Sequence, residues 1–191
     1  MLTSADAPAT AVRANAALET LRAGGLRLDS FRLPDLYDRA ELVWHTAPNR
    51  LAISDTDRWL EPLPKAAARV FAQALAGNTG LDWLPYPPST GTGREHRLAM
   101  DVTQLEIRLD CSEVRLRARW QYVPAASAPS ATSAARTGAL SLTVPLAASS
   151  PEGVAVALSR AFDTLATRVA GEVFGIPAME KPGFQKQAGP E

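Results

Sequence analysis

The sequence predicts an α+β fold: a mostly antiparallel sheet with two amphipathic helices packed on one of its faces. Three observations point there. Residues 96 to 123 alternate apolar and polar side chains with the period of two that half-buried strands need. Two other stretches, Leu63 to Leu75 and Val154 to Val169, instead repeat apolar residues at helical spacing. The elements follow the order β, β, β, α, (β), β, β, β, α, and a sheet with both helices on one face buries both apolar stripes.

A chain of 191 residues suits one domain with tails, and a core of that size folds without disulfide or metal staples. The patterning divides it into a flexible or weakly helical arm over residues 1–25, a single domain over 26–175, and a tail over 176–191. An Ala/Ser/Pro-rich stretch at 124–137 separates two strands of the same sheet and reads as a flexible loop insertion.

The first strand begins at Leu26. Leu26 and Leu28 share one parity and Phe31 and Leu33 the other, so an inserted residue near Asp29-Ser30 predicts a bulge. Glu41 to Thr46 and Arg50 to Ser54 form a hairpin that bends at Ala47-Pro48-Asn49. Asp55, Thr56 and Asp57 read as a polar connection to Arg58-Trp59. Pro62 and Pro64 suit a helix start, where a missing amide hydrogen costs nothing. Leu63, Ala67, Val70, Phe71, Ala74 and Leu75 make its apolar stripe, and Gly77 or Asn78 is expected to stop it. Leu81 to Leu84 suits a short strand.

The clearest strand pair follows. Leu98, Met100 and Val102 share a face, then Leu105, Ile107 and Leu109 take over, which predicts a second bulge near Thr103-Gln104. Val114, Leu116, Ala118, Trp120 and Tyr122 alternate with Arg115, Arg117, Arg119 and Gln121. A two-residue turn at Cys111-Ser112 would pair Leu109 with Val114 and Ile107 with Leu116, and set Glu106 opposite Arg117. Leu140, Leu142 and Val144 form the last strand. Ser150, with Pro151 and Glu152 behind it, begins the second helix, which Gly175 ends.

Composition excludes several classes of function. Lys plus Arg and Asp plus Glu number 20 each, so no net charge steers the chain to nucleic acid or an anionic membrane. The single cysteine, Cys111, permits no intrachain disulfide. The start, MLTSADAPAT, has neither the basic nor the apolar region of a signal peptide. The protein is therefore expected to be unexported, or its leader to have been removed.

No catalytic constellation emerges, and no cofactor is expected. His45 and His96 lie far apart, with no HxxxH or CxxC spacing to suggest a metal site; both read as partly exposed sheet residues. Asp55, Asp57 and Glu61 read as helix-start carboxylates that favour the positive end of the helix dipole. Thr90 to Gly93 lacks the Lys-Ser/Thr of a phosphate-binding loop. Cys111 has no neighbouring base. Arg115, Arg117 and Arg119 make a basic stripe, but Trp120 and Tyr122 share the apolar parity and should be buried, so stacking on nucleic-acid bases is not expected.

Residues 33 to 75 carry the specific signal. A strand end with Pro34 and Asp38-Arg39 is followed by Glu41-Leu42-Val43, a turn with Asn49-Arg50-Leu51, and Arg58-Trp59 with Glu61-Pro62-Leu63 leading into a helix. In this order and spacing the stretch resembles the ABC-type transport auxiliary lipoprotein family of the PqiC/YmbA type, over about residues 26 to 174. The family's Tyr-Leu is inverted here to Leu36-Tyr37, its Tyr-Tyr-x-Leu strand is not found ahead of Leu26, and no lipobox cysteine precedes the domain.

The resemblance implies a non-enzymatic periplasmic component of an ABC transport system, docking on an MCE-domain protein and its permease/ATPase complex. Such systems move lipids or other hydrophobic compounds across the cell envelope. It further implies outer-membrane attachment through a lipid anchor, and leaves room for a lipid ligand and a homo-oligomer. The candidate partner contacts are Leu36, Tyr37, Arg39, Arg58 and Trp59. In the competing reading, Tyr37 and Trp59 pack the hairpin onto the sheet. A domain carrying lipid in its own apolar groove is the alternative function, and a small enzyme the remaining one.

Overall fold

The computed structural model describes residues 25–80, 95–125 and 134–176. Residues 1–24 of the expected arm, the strand expected at 81–84, the TGTG loop, residues 126–133 of the insertion and residues 177–191 of the tail lie outside them.

The described chain runs β1 (Leu26–Arg32), a 3-10 turn (Asp35–Tyr37), β2 (Glu41–Ala47), β3 (Arg50–Arg58), α1 (Leu63–Thr79), β4 (His96–Arg108), β5 (Glu113–Val123), β6 (Arg136–Pro145) and α2 (Pro151–Phe174). The six strands form one sheet in the order β3-β2-β4-β5-β6, with β1 also paired to β4. The β2–β3, β4–β5 and β5–β6 pairs are antiparallel. Both strands on the other edge of β4 run parallel to it: β1 along its first half, from Leu26↔His96 to Arg32↔Asp101, and β2 at its far end, at His45↔Arg108. This is the α+β class, and the parallel pairs are the feature that local patterning does not carry.

The core lies between the sheet and the two helices. Leu98, Met100, Val102, Leu105 and Ile107 of β4 face inward with Val114, Leu116, Ala118, Trp120 and Tyr122 of β5. Phe31 of β1 is wedged between the helices, its ring 5.4 Å from Phe71 of α1 and 5.9 Å from Phe162 of α2. Each such buried side chain contributes about 1.5–3 kcal/mol relative to exposure.

Both predicted bulges are present. The β1–β4 register shifts between Leu28 and Ser30, and the β4–β5 register between Val102 and Gln104. An extra residue at each place switches the inward parity while the strand stays paired. The expected hairpin register is not found. Ile107 pairs with Val114, Leu105 with Leu116, and Glu106 faces Arg115 rather than Arg117. The turn spans four residues, because Leu109 leaves the ladder and its amide donates to the His45 carbonyl at 3.1 Å. Arg108 holds the turn through two hydrogen bonds to Asp110, at 2.8 and 2.6 Å, and Ser112 closes it at φ 51°.

Three further expectations are corrected. Helix α1 runs past Gly77 and Asn78 and ends at Gly80, in the left-handed conformation at φ 64°. Residues 55–57 belong to β3, where the Ser54 hydroxyl accepts from the Asp57 amide at 2.9 Å and donates to its carboxylate at 2.7 Å. Asp57 is therefore committed to a local turn rather than to the helix dipole, and the first turn of α1 contains no acid. His96 is buried at 1% exposure, not partly exposed. Its Nδ1 accepts from the Ala125 amide at 3.3 Å and lies 2.5 Å from the Tyr122 hydroxyl.

Candidate functional site

Leaving β1, the chain abandons the β4 edge at Leu33 and returns to it only as β2. The 3-10 turn occupies this gap. Pro34 stands at its start, and the Tyr37 amide donates to the Pro34 carbonyl at 2.9 Å. Tyr37 then turns inward, buried at 2% exposure, and its hydroxyl donates to the Leu105 carbonyl of β4 at 2.7 Å. Burial, and secondarily the Glu106 carboxylate, push the Tyr37 hydroxyl well above the ordinary tyrosine range, so it stays protonated as a donor.

The turn delivers residues 38–40 beside the segment that leaves β3 for α1. The Trp59 amide donates to the Ala40 carbonyl at 2.7 Å, and the Glu41–Arg58 pair closes the ladder with an ion pair of 3.6 Å. Asp38, Arg39 and Ala40 thus form one wall of a cleft, and Trp59, Leu60, Glu61 and Pro62 the other, enclosing about 300 Å³. Arg39 and Trp59, 20 positions apart in sequence, share this cleft.

The side chains in the cleft are unequally committed. Trp59 is half-buried and packs against the core. Glu61 pairs with Arg69 of α1 at 2.5 Å. Arg39 is half-buried, and its Nε lies buried with no hydrogen-bond partner among the described residues. Leu60 projects fully into solvent at 108% of its reference exposure. Of these side chains, Leu60 is the one that a covering surface would remove from water.

The residues singled out from the sequence therefore divide. Arg39 and Trp59 line the cleft. Leu36 is half-buried and packed on the core outside it, and Arg58 is exposed and paired with Glu41. Tyr37, buried and bonded, offers no surface for a partner. Sequence reasoning missed Leu60 because it fills a position the family pattern leaves open, between Trp59 and Glu61. Nothing in periodicity says whether a leucine after a strand end folds back or stands out.

Two further clefts lie among the described residues. One, of about 660 Å³, runs over β1, β4, β5 and β6 and is lined by Arg32, Asp101, Arg119 and Gln121 together with Met100 and Trp120. The other, of about 460 Å³, lies between the outer surfaces of α1 and α2. No three potential metal ligands converge among the described residues. Cys111 is exposed, and local desolvation and a hydrogen bond to Glu113 raise its thiol pKa, which disfavours a nucleophilic thiolate. No helix among the described residues is long and apolar enough to cross a membrane.

The fold recurs in solved structures. One, a crystal structure of an uncharacterized protein, superimposes with a TM-score of 0.64 at 15% identity, covering 78% of this chain and 90% of that one. Another, protein XCC0632 from Xanthomonas campestris, gives a TM-score of 0.54 at 15% identity, covering 79% and 83%. At such identities the likeness establishes the architecture alone. The sequence supplies the rest: residues 3–170 match the model of the ABC-type transport auxiliary lipoprotein component, and the chain belongs to that family. The match begins ahead of Leu26, within the region read as an arm. No curated protein matches the chain in a sequence comparison.

Proposed function

We propose that this protein is a non-enzymatic docking component of an MCE-linked ABC system that moves lipids or other hydrophobic compounds across the cell envelope. In this reading it works in the periplasm, attached at the outer membrane through a lipid anchor. It engages the MCE-domain protein of its own transport system through the cleft between residues 38–40 and 59–62. Family membership supports the transport role, and the MCE link rests on the resemblance of the motif stretch.

One observation carries the choice of surface. Two halves of the family pattern, Asp38-Arg39 and Trp59 with Glu61-Pro62, converge on one cleft that leaves a leucine bare. A fully exposed leucine gains from burial only when something covers it. The test is co-purification with the soluble part of the MCE-domain protein from the same transport system. Leu60→Asp and Arg39→Glu are expected to abolish capture with an unchanged thermal midpoint. Undiminished capture by both variants would place the contact elsewhere.

A further inference from the structure

We propose that the groove over β1, β4, β5 and β6 seats the phosphate of an anionic lipid headgroup between Arg32 and Arg119, with Arg117 beside it. This surface is separate from the docking cleft.

The groove lies on the outer face of the sheet. Arg32, Asp101 and Arg119 are exposed and alternate with Phe31, Met100 and Trp120, whose side chains are buried in the core. Its floor is the strand at Met100, Trp120 and Gly138, and the small side chains of Ala99 and Ala139 keep that floor low, leaving about 660 Å³.

The balanced charge of the whole chain hides a local excess here. Elsewhere on these strands the arginines are paired: Arg27 and Arg97 with Asp29, Arg108 with Glu106 and Asp110, and Arg115 with Glu113. Arg32, Arg117 and Arg119 have no ion-pair partner among the described residues. Asp101 stands in register between two of them, opposite Arg32 on one side and Arg119 on the other. One carboxylate neutralises one guanidinium, so a positive charge remains, and Arg117, on the same face of β5, adds a second.

Neighbouring strands are about 4.8 Å apart, so Arg32 and Arg119 flank β4 at about 10 Å and their long side chains can close on one anion. A phosphate presents acceptor oxygens in several directions and takes a guanidinium from each side, whereas a carboxylate presents two in one plane. The walls of the groove are only side chains standing off a sheet. Sites for soluble ligands bury most of the ligand, and this trough is too shallow for that. A headgroup presented by a flat bilayer needs no enclosure, and each exposed arginine near an anionic bilayer adds to binding. The family is one of lipoproteins, for which a bilayer is the nearest phosphate-rich surface.

The test is co-sedimentation of the full chain with phosphatidylcholine vesicles, with and without phosphatidylglycerol. Binding is expected only with phosphatidylglycerol and should weaken as salt rises. Arg32→Gln and Arg119→Gln should each weaken it about fivefold, and Asp101→Asn should tighten it about fivefold, a gain that misfolding cannot produce. Arg115→Gln, on the same face but already paired, should change it far less. All four positions are exposed, so thermal midpoints should match the parent. Equal weakening by Arg115→Gln, or no vesicle binding, overturns the proposal. In the ¹⁵N-labelled chain the Ala99 and Gly138 amides report the groove. Saturating shifts there with acetyl-Glu-Glu-amide or glycerol phosphate, without vesicle binding, would give the groove to an acidic protein segment or a soluble ester instead. Capture of the MCE-domain protein should be unchanged in Arg32→Gln and Arg119→Gln, so the failure of either reading leaves the other standing.

Discussion

The Tyr37 hydroxyl donates to the Leu105 carbonyl at 2.7 Å across 68 positions of sequence, and this bond seals a stretch of the β4 edge between β1 and β2. It makes Tyr37 a structural part of the motif and leaves the cleft beyond it to Arg39, Trp59 and Leu60. The 3-10 turn can present residues 38–40 at a fixed place only because its last residue is anchored in the core.

Tyr37→Phe keeps the ring and removes the donor, leaving the Leu105 carbonyl buried and unpaired. The expected loss is about 1–3 kcal/mol, read as a lower urea midpoint with an unchanged slope. Partner capture by the folded variant should match the parent. A variant of full stability that loses the partner would return Tyr37 to the contact surface.

Stability should fall at alkaline pH in a way that depends on two tyrosines. Burial raises Tyr37 above the ordinary range and pushes Tyr122 up to about 12. Both are held neutral in the fold but ionise when unfolded near pH ~10. Their contribution is therefore complete below about pH 10 and is lost as pH rises toward and through the raised folded values. Denaturation series from pH 8 to 12 should show a shallower decline in Tyr37→Phe and Tyr122→Phe than in the parent.

Gly138 lies opposite Trp120, and a Cβ there would stand 2.5 Å from the indole ring. Gly138→Ala must displace that ring, whose N–H donates to Glu172 of α2 at 2.9 Å. The expected cost is about 1–3 kcal/mol, measured by thermal unfolding. A neutral substitution would show that the ring has room to move.

The Ser150 hydroxyl accepts from the Gly153 amide at 3.2 Å and caps α2. Ser150→Ala should cost about 1 kcal/mol, while Leu60→Ser, at a solvated site, should stay within about 0.5 kcal/mol of the parent. Chemical denaturation of the two side by side separates a residue that serves the helix from one that serves the surface.

Much of this was legible in the chain. Both bulges, at Asp29 and Thr103, could be read because an inserted residue flips the parity of every side chain after it. The α2 cap was legible because Ser-Pro-Glu satisfies a helix end locally. The β4–β5 register was not, although the strands themselves were plain. Its offset depends on Leu109 bonding to His45, a contact between strands far apart in sequence. His96 looked like an ordinary sheet residue because its burial depends on Tyr122 and Ala125, which only folding brings near.

By itself the sequence determined the types of the six described strands and two helices, most of their inward faces and the family, since each is written in local periodicity or in an ordered motif. Tertiary structure alone decided that β1 and β2 share one edge of β4, that Tyr37 turns inward to close the gap, and that Arg39 meets Trp59 and Leu60 across a cleft. Parallel strand partners and cleft walls are joined by hydrogen bonds between segments distant in the chain. No local propensity encodes which carbonyl a buried hydroxyl will reach, or which leucine will be left in water.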